Sequence, residues 1–226
     1  MRVITSIVFI CIALFQALGQ EQPLDLEAPF EKLKVSGNIH LELVSSDTQQ
    51  LFIVSEESSE TVDIETGEGL LILKAKSELN NAPAIEMKLH YINLSSLEIT
   101  KGSLIQSVDT LKSNLLQLDV LSGGKAEIWI RVDSLNARVN QGADVILYGS
   151  ARSQFVNAYT WGNYLAFDLE AMDSYIKAAT GAQVKVNTSR LLDASATSKA
   201  FVGYLGEPEQ KKVKTSVGGE ITPMTE

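Results

Sequence analysis

The stretch "NAYTWGNYLAF", residues 157–167, is the most aromatic in the chain, and Tyr159, Trp161 and Tyr164 crowd around Gly162. Rings exposed along a rigid face can stack on sugar rings or on a peptide partner. Packed inward, the same side chains are core, or a lid on one corner, and both readings stay open here. Just after them, "FDLEAMD" sets Asp168 and Glu170 two residues apart. Residues two apart on a strand project from one face, so these carboxylates point the same way, away from Phe167 and Leu169. Paired carboxylates flank the scissile bond in many glycosidases, and acidic clusters can hold calcium. A solvated strand face explains the pair more simply, and no Lys or Arg recurs beside it as a lyase base would.

His40 and His90 alternate with apolar neighbours and face outward. Two histidines without a third ligand make a poor metal site, so ordinary surface positions are expected. The chain contains no Gly-x-Ser-x-Gly elbow, phosphate loop or dinucleotide fingerprint. In "SGGKAE", around Gly123 and Gly124, strand-like segments flank the glycines where a phosphate loop needs a helix. No catalytic residue, metal ligand or cofactor is assigned.

The elements that must position these side chains begin after residue 20. "MRVITSIVFICIALFQALGQ" opens with Arg2, continues through an apolar run from Ile7 to Phe15, and offers small residues at Ala17 and Gly19. This pattern predicts a secretory signal peptide, residues 1–19, with an uncleaved anchor as the alternative. Cys11, the one cysteine of the 226 residues, lies inside the apolar run behind a bulky Ile10, which argues against lipidation. The mature chain then has no cysteine, and disulfides, thiol nucleophiles and thiolate metal sites are excluded together. No later run approaches 18 apolar residues, so no transmembrane segment is expected in the mature chain. A net charge of −9 argues against a nucleic-acid partner, whose phosphates demand clustered Lys and Arg.

From Phe30 onward the chain alternates with a period of two, the signature of half-buried strands. Ile39, Leu41 and Leu43 share one face of "NIHLELVSS", and Ile85, Met87, Leu89 and Tyr91 share one face of "IEMKLHYINL". "TVDIETGEGLLILKAK" reads as a hairpin turning at Gly67 and Gly69. Only "SEESSETV", residues 55–62, has room for a short helical turn. After a linker at 20–27, residues 28–93 are therefore expected to form a small antiparallel β unit.

Residues 94–222 repeat. Strand-like stretches centre on Gly102, Gly123, Gly142, Gly162 and Gly181, with gaps of 21, 19, 20 and 19 by subtraction, and the pattern returns at Gly218. A fixed period near 20 residues marks a solenoid whose coils stack and share one core. Glycine recurs where each coil turns a corner, with φ free to be positive and no Cβ to meet the next coil. Lys199 stands where one corner glycine belongs. A leucine-rich repeat is set aside because its Leu-rich consensus and recurring Asn are missing; a meander sandwich is the stronger competitor. The expected fold is all-β, a β-solenoid of about 20-residue coils continuous with the N-terminal unit, followed by a tail at 223–226.

"FEKLKVSGNIHLEL" (30–43), the glycine-centred coils, and the closing "ASATSKAFVGYLGEP" and "VKTSVGGEI", with Tyr204, Gly206 and Pro208, carry a family resemblance. Over about residues 28–222 the chain resembles the putative auto-transporter adhesin head GIN domain family. The resemblance implies a β-helix-like fold and an exported location, periplasmic or at the cell surface. The tail is too short for the strands of a translocator barrel, so self-export is not expected.

The expected function is a non-catalytic envelope or adhesion-type module that presents a flat solenoid face to carbohydrate or a cell-surface protein. A β-helix carbohydrate-active enzyme and a purely structural envelope protein are the alternatives. Open coil ends expose backbone groups, so either residues 28–60 cap one end or subunits meet there as a homo-oligomer.

Overall fold

The computed structural model describes residues 23–26, 28–54, 61–76 and 83–225. The expected signal segment, half of the expected linker (residues 20–22 and 27) and residues 55–60 of the helical-turn candidate lie outside the described residues.

The chain enters through β1 (Leu24–Asp25), β2 (Phe30–Ser36), β3 (Ile39–Ser45) and β4 (Gln50–Ile53). It continues through β5 (Val62–Gly67), β6 (Gly69–Ala75), β7 (Ile85–Tyr91), β8 (Ser96–Thr100) and β9 (Leu104–Ser107). Longer strands follow: β10 (Leu111–Leu121), β11 (Lys125–Asn140), β12 (Asp144–Ala158), β13 (Asn163–Ala178) and β14 (Gln183–Thr197). Last come β15 (Phe201–Leu205), β16 (Gln210–Ser216) and β17 (Glu220–Pro223).

These strands form a parallel β-solenoid. The long strands bend and serve two sides; in β11 the in–out alternation breaks at Asp133–Ser134, between buried Val132 and buried Leu135. On one side the order is β1, β4, β7, β3, β9, then the first halves of β11 to β14, then β15 and β17. On the other it is β5, β6, β2, β8, then the second halves of β10 to β14, then β16.

The rungs do not follow chain order. The β2–β3 rung lies between the later β6–β7 and β8–β9 rungs, all paired in parallel. The antiparallel unit expected over residues 28–93 is only partly antiparallel. β5 pairs with β6 as the expected hairpin and β4 with β7, and β1, from the expected linker, adds to β4. By contrast, β2, β3, β6 and β7 pair in parallel as rungs of the solenoid itself. The antiparallel strands close the first rung, where a bare parallel edge would leave backbone groups unpaired. At the far end β16 is exposed along its length and carries Lys211, Lys212 and Lys214. Lysines on an open edge oppose pairing with another strand.

One apolar cluster runs the length of the stack, from Phe30, Leu33 and Leu43 to Val184, Leu192 and Val202. Each fully buried Leu or Ile contributes about 2 kcal/mol, so a shared interior suffices without disulfides. Later rungs substitute alanine at Ala158, Ala178 and Ala196.

The corners are type I′ turns. Both central residues have positive φ, as at Ser122 and Gly123 or Gln141 and Gly142, and the fourth residue's N–H donates back to the first carbonyl, as Gly124 to Leu121 at 3.0 Å. The third residue's N–H donates to the next rung: Gly123 to Gln141 at 3.0 Å, Gly142 to Thr160 at 3.1 Å, Trp161 to Thr180 at 3.1 Å. Hydrogen bonding thus continues around the bend.

The corner expected at Gly162 is offset by one residue. The third turn position is held by Gly102, Gly123, Gly142, Trp161, Gly181, Lys199 and Gly218. Gly162 is not among them; it occupies the fourth position, with Ser103, Gly124, Ala143, Ala182, Ala200 and Gly219. That column is small because a side chain there points at the preceding rung: a Cβ on Gly162 would lie 2.5 Å from the Val139 carbonyl oxygen.

Candidate functional site

The three aromatic residues of the opening stretch separate. Tyr164 is fully buried, one residue inside the core column of Ala126, Val145 and Val184. Its hydroxyl donates to Gln154 Oε1 at 2.7 Å, and Gln154 Nε2 donates to Ser174 Oγ at 2.9 Å. Burial pushes the Tyr164 phenol far up from its ordinary value. Tyr164 is therefore a core residue and leaves the candidate set. Tyr159, first residue of its turn, is half-buried.

Trp161 is 66% exposed and has φ of 62°, the left-handed conformation that glycine holds at most other corners. Its ring lies over Gly181 of the next rung, where an added Cβ would approach ring carbons at 2.8 Å. Lys199, the other exception, lies beside Gly218, so each long corner side chain is followed by a glycine. Most of the indole faces solvent.

Two ring pairs escaped the sequence reading. Trp129 stacks on Tyr148 with centroids 4.8 Å apart and an interplanar angle of 19°. Phe155 stacks on Tyr175 at 4.7 Å and 4°. Each pair sits on adjacent rungs in register or nearly so, which is why the spacing matches the strand separation. The signal was available: Trp129 and Tyr148 are 19 residues apart, Phe155 and Tyr175 are 20. Such cofacial pairs spend ring faces on each other, whereas Trp161 spends one on glycine.

The acidic pair and the histidines also separate. The register slips between Ala166 and Glu170, so Leu169 is buried as expected but Phe167 is only half-buried, with the Lys185 ammonium 5.6 Å from its centroid. Asp168 and Glu170 are both exposed. His40 Nδ1 lies 2.9 Å from Glu86 Oε1, while His90 packs against Phe52 at 4.9 Å. His40 registers with Glu86 and His90 with Val44, so the two do not converge. Among the described residues no three His, Cys, Asp or Glu side chains gather to hold a metal.

Among the described residues the buried carboxylate is Asp173. Arg190 Nε donates to its Oδ1 at 2.8 Å, and a second guanidinium nitrogen pairs with Oδ2. The Arg190 hydrogen bond holds this carboxyl below the usual range, against the opposing effect of burial. The pair fastens β13 to β14 at the bend.

The fold and the corner columns can be set beside known proteins. The family model described as putative auto-transporter adhesin, head GIN domain, matches residues 29–208. The chain belongs to this family. The match spans the strands from β2 to β15 and ends just past Gly206, so it covers most of the solenoid, with β16 and β17 lying beyond it. No curated protein matches the chain.

Solved structures share the fold. A putative adhesin from Bacteroides fragilis NCTC 9343 superposes with a TM-score of 0.76 at 16% identity, covering 87% of this chain and 93% of that one. A putative adhesin from Parabacteroides merdae ATCC 43184 gives 0.69 at 15% identity, with 90% and 95% covered. A putative lipid binding protein from Parabacteroides distasonis ATCC 8503 gives 0.66 at 17% identity, with 90% and 96% covered. At such identities the likeness is one of fold. Among the described residues no helix is long and apolar enough to cross a membrane.

Proposed function

We propose that this head GIN domain protein is an exported, non-catalytic envelope module that binds carbohydrate on its solenoid surface, with Trp161 as a stacking platform. The observation that carries the reading is the conformation of Trp161. A left-handed non-glycine residue costs about 1–2 kcal/mol. Trp161 bears that cost while leaving 66% of its surface in solvent, so core packing does not account for it. A large ring held rigidly and kept wet suits the apolar face of a sugar. Export is supported by Arg2, the Ile7–Phe15 run and the small residues at Ala17 and Gly19.

Trp161→Gly provides the test, because glycine removes the ring and relieves the backbone. The variant should melt at or above the wild-type temperature, with up to about 1 kcal/mol regained. Its signal on a glycan array should fall about tenfold or more, the loss of one ring's stacking contact. Array binding equal to wild type would remove Trp161 from the site.

A further inference from the structure

A groove runs across the rungs where the first side of the solenoid bends into the second. One stretch, about 580 Å³, is lined by Arg131, Asp133, Arg152, Glu170, Met172 and Asn187 among others. A second, about 520 Å³, is lined by Lys112 and Glu31 among others and shares Arg131, Val132 and Asp133 with the first. The floor is the register column Val132, Ala151 and Ala171, each only 5–6% exposed. One wall is the column Lys112, Arg131, Ser150, Glu170 and Asn187. Those five rungs span roughly 19 Å at the strand separation.

Charge is distributed unevenly along that wall. Lys112 and Arg131 face each other in register on neighbouring rungs, roughly 4.8 Å apart at the backbone. Arg152 is neutralised by Asp133 at 3.6 Å. Among the described residues neither Lys112 nor Arg131 has an ion-pair partner, in a chain that carries nine more carboxylates than cations. Two adjacent cations repel unless an anion sits between them, and a guanidinium fork matches a carboxylate in shape.

We infer that this groove holds a linear acidic oligosaccharide lying along the stack axis, with one carboxylate between Lys112 and Arg131. An extended 1,4-linked chain advances by nearly one rung per sugar unit, so successive units meet successive rungs. Asp133, Arg152, Glu170 and Asn187 supply the planar polar groups that read hydroxyls. Small floor residues let the chain approach the backbone. This rests on the carbohydrate reading above but uses a different part of the surface from Trp161.

Calorimetric titration with tetramannuronate, neutral mannotetraose and monomeric mannuronate tests it. Tetramannuronate should bind, weaken with added salt, and lose about tenfold or more in Lys112→Gln/Arg131→Gln, since each charged hydrogen bond contributes substantially. Both other sugars should bind at least about tenfold more weakly, lacking the charge or the length. No binding of tetramannuronate, equal binding by the double variant, or equal binding of the monomer would overturn the inference. Array binding that survives the double variant but not Trp161→Gly overturns the groove and leaves the corner platform standing; groove-dependent binding with Trp161→Gly silent does the reverse.

Discussion

Gly149→Ala is expected to destabilise the protein by about 3 kcal/mol or more, whereas Gly123→Ala loses only about 1 kcal/mol. Both glycines have positive φ, 107° and 74°, so both alanines carry backbone strain. The difference lies in what the new methyl meets. At Gly123 nothing lies within 4 Å, but at Gly149 the Ile130 carbonyl oxygen would stand 2.1 Å away. Gly149 sits where the β12–β13 register shifts and its partner on β11 is Ile130 itself. Relieving that contact means pulling two rungs apart. Thermal melts of the two variants read the contrast directly; equal losses would mean that the rungs are not this close.

Gln154→Leu should cost about 2–3 kcal/mol, although the two side chains are similar in size. Gln154 is fully buried and joins Tyr164 to Ser174 inside a largely apolar interior. Leucine leaves the Tyr164 hydroxyl and Ser174 without their partner, and an unsatisfied buried group costs more than its hydrogen bond contributed. Adding Tyr164→Phe should restore about 1 kcal/mol, because one orphan is removed with it. A double-mutant cycle by urea denaturation measures the coupling. Additive losses would show that the two side chains do not act together.

Much of this architecture was legible because a solenoid writes its period into the sequence. Gly102, Gly123, Gly142, Gly181 and Gly218 mark turns whose third residue needs positive φ. The reading slipped by one residue at Gly162, since two adjacent columns both favour the smallest side chains, for different reasons. One is conformational; the other is contact with the preceding rung's carbonyls. That slip hid Trp161 as the true corner residue. It also hid Tyr164, which register places beside Val145 in the core.

The N-terminal rung order was not legible at all. Nothing local in "FEKLKVSGNIHLEL" says that β2 and β3 will be flanked by β6–β7 on one side and β8–β9 on the other. That order is written in pairings between segments far apart in the chain, which no local pattern reveals. Likewise the groove at Lys112 and Arg131 comes from columns formed across rungs, so it emerges only once the register is known.

The chain has two tryptophans, Trp129 and Trp161, so Trp129→Phe leaves the corner indole as the lone reporter. Acrylamide quenching of that variant, with and without a glycan chosen from the array, asks whether the corner is where ligand sits. Easy quenching is expected in the free protein, and clear protection at saturating glycan. Quenching unchanged by a glycan that demonstrably binds would contradict binding at the corner.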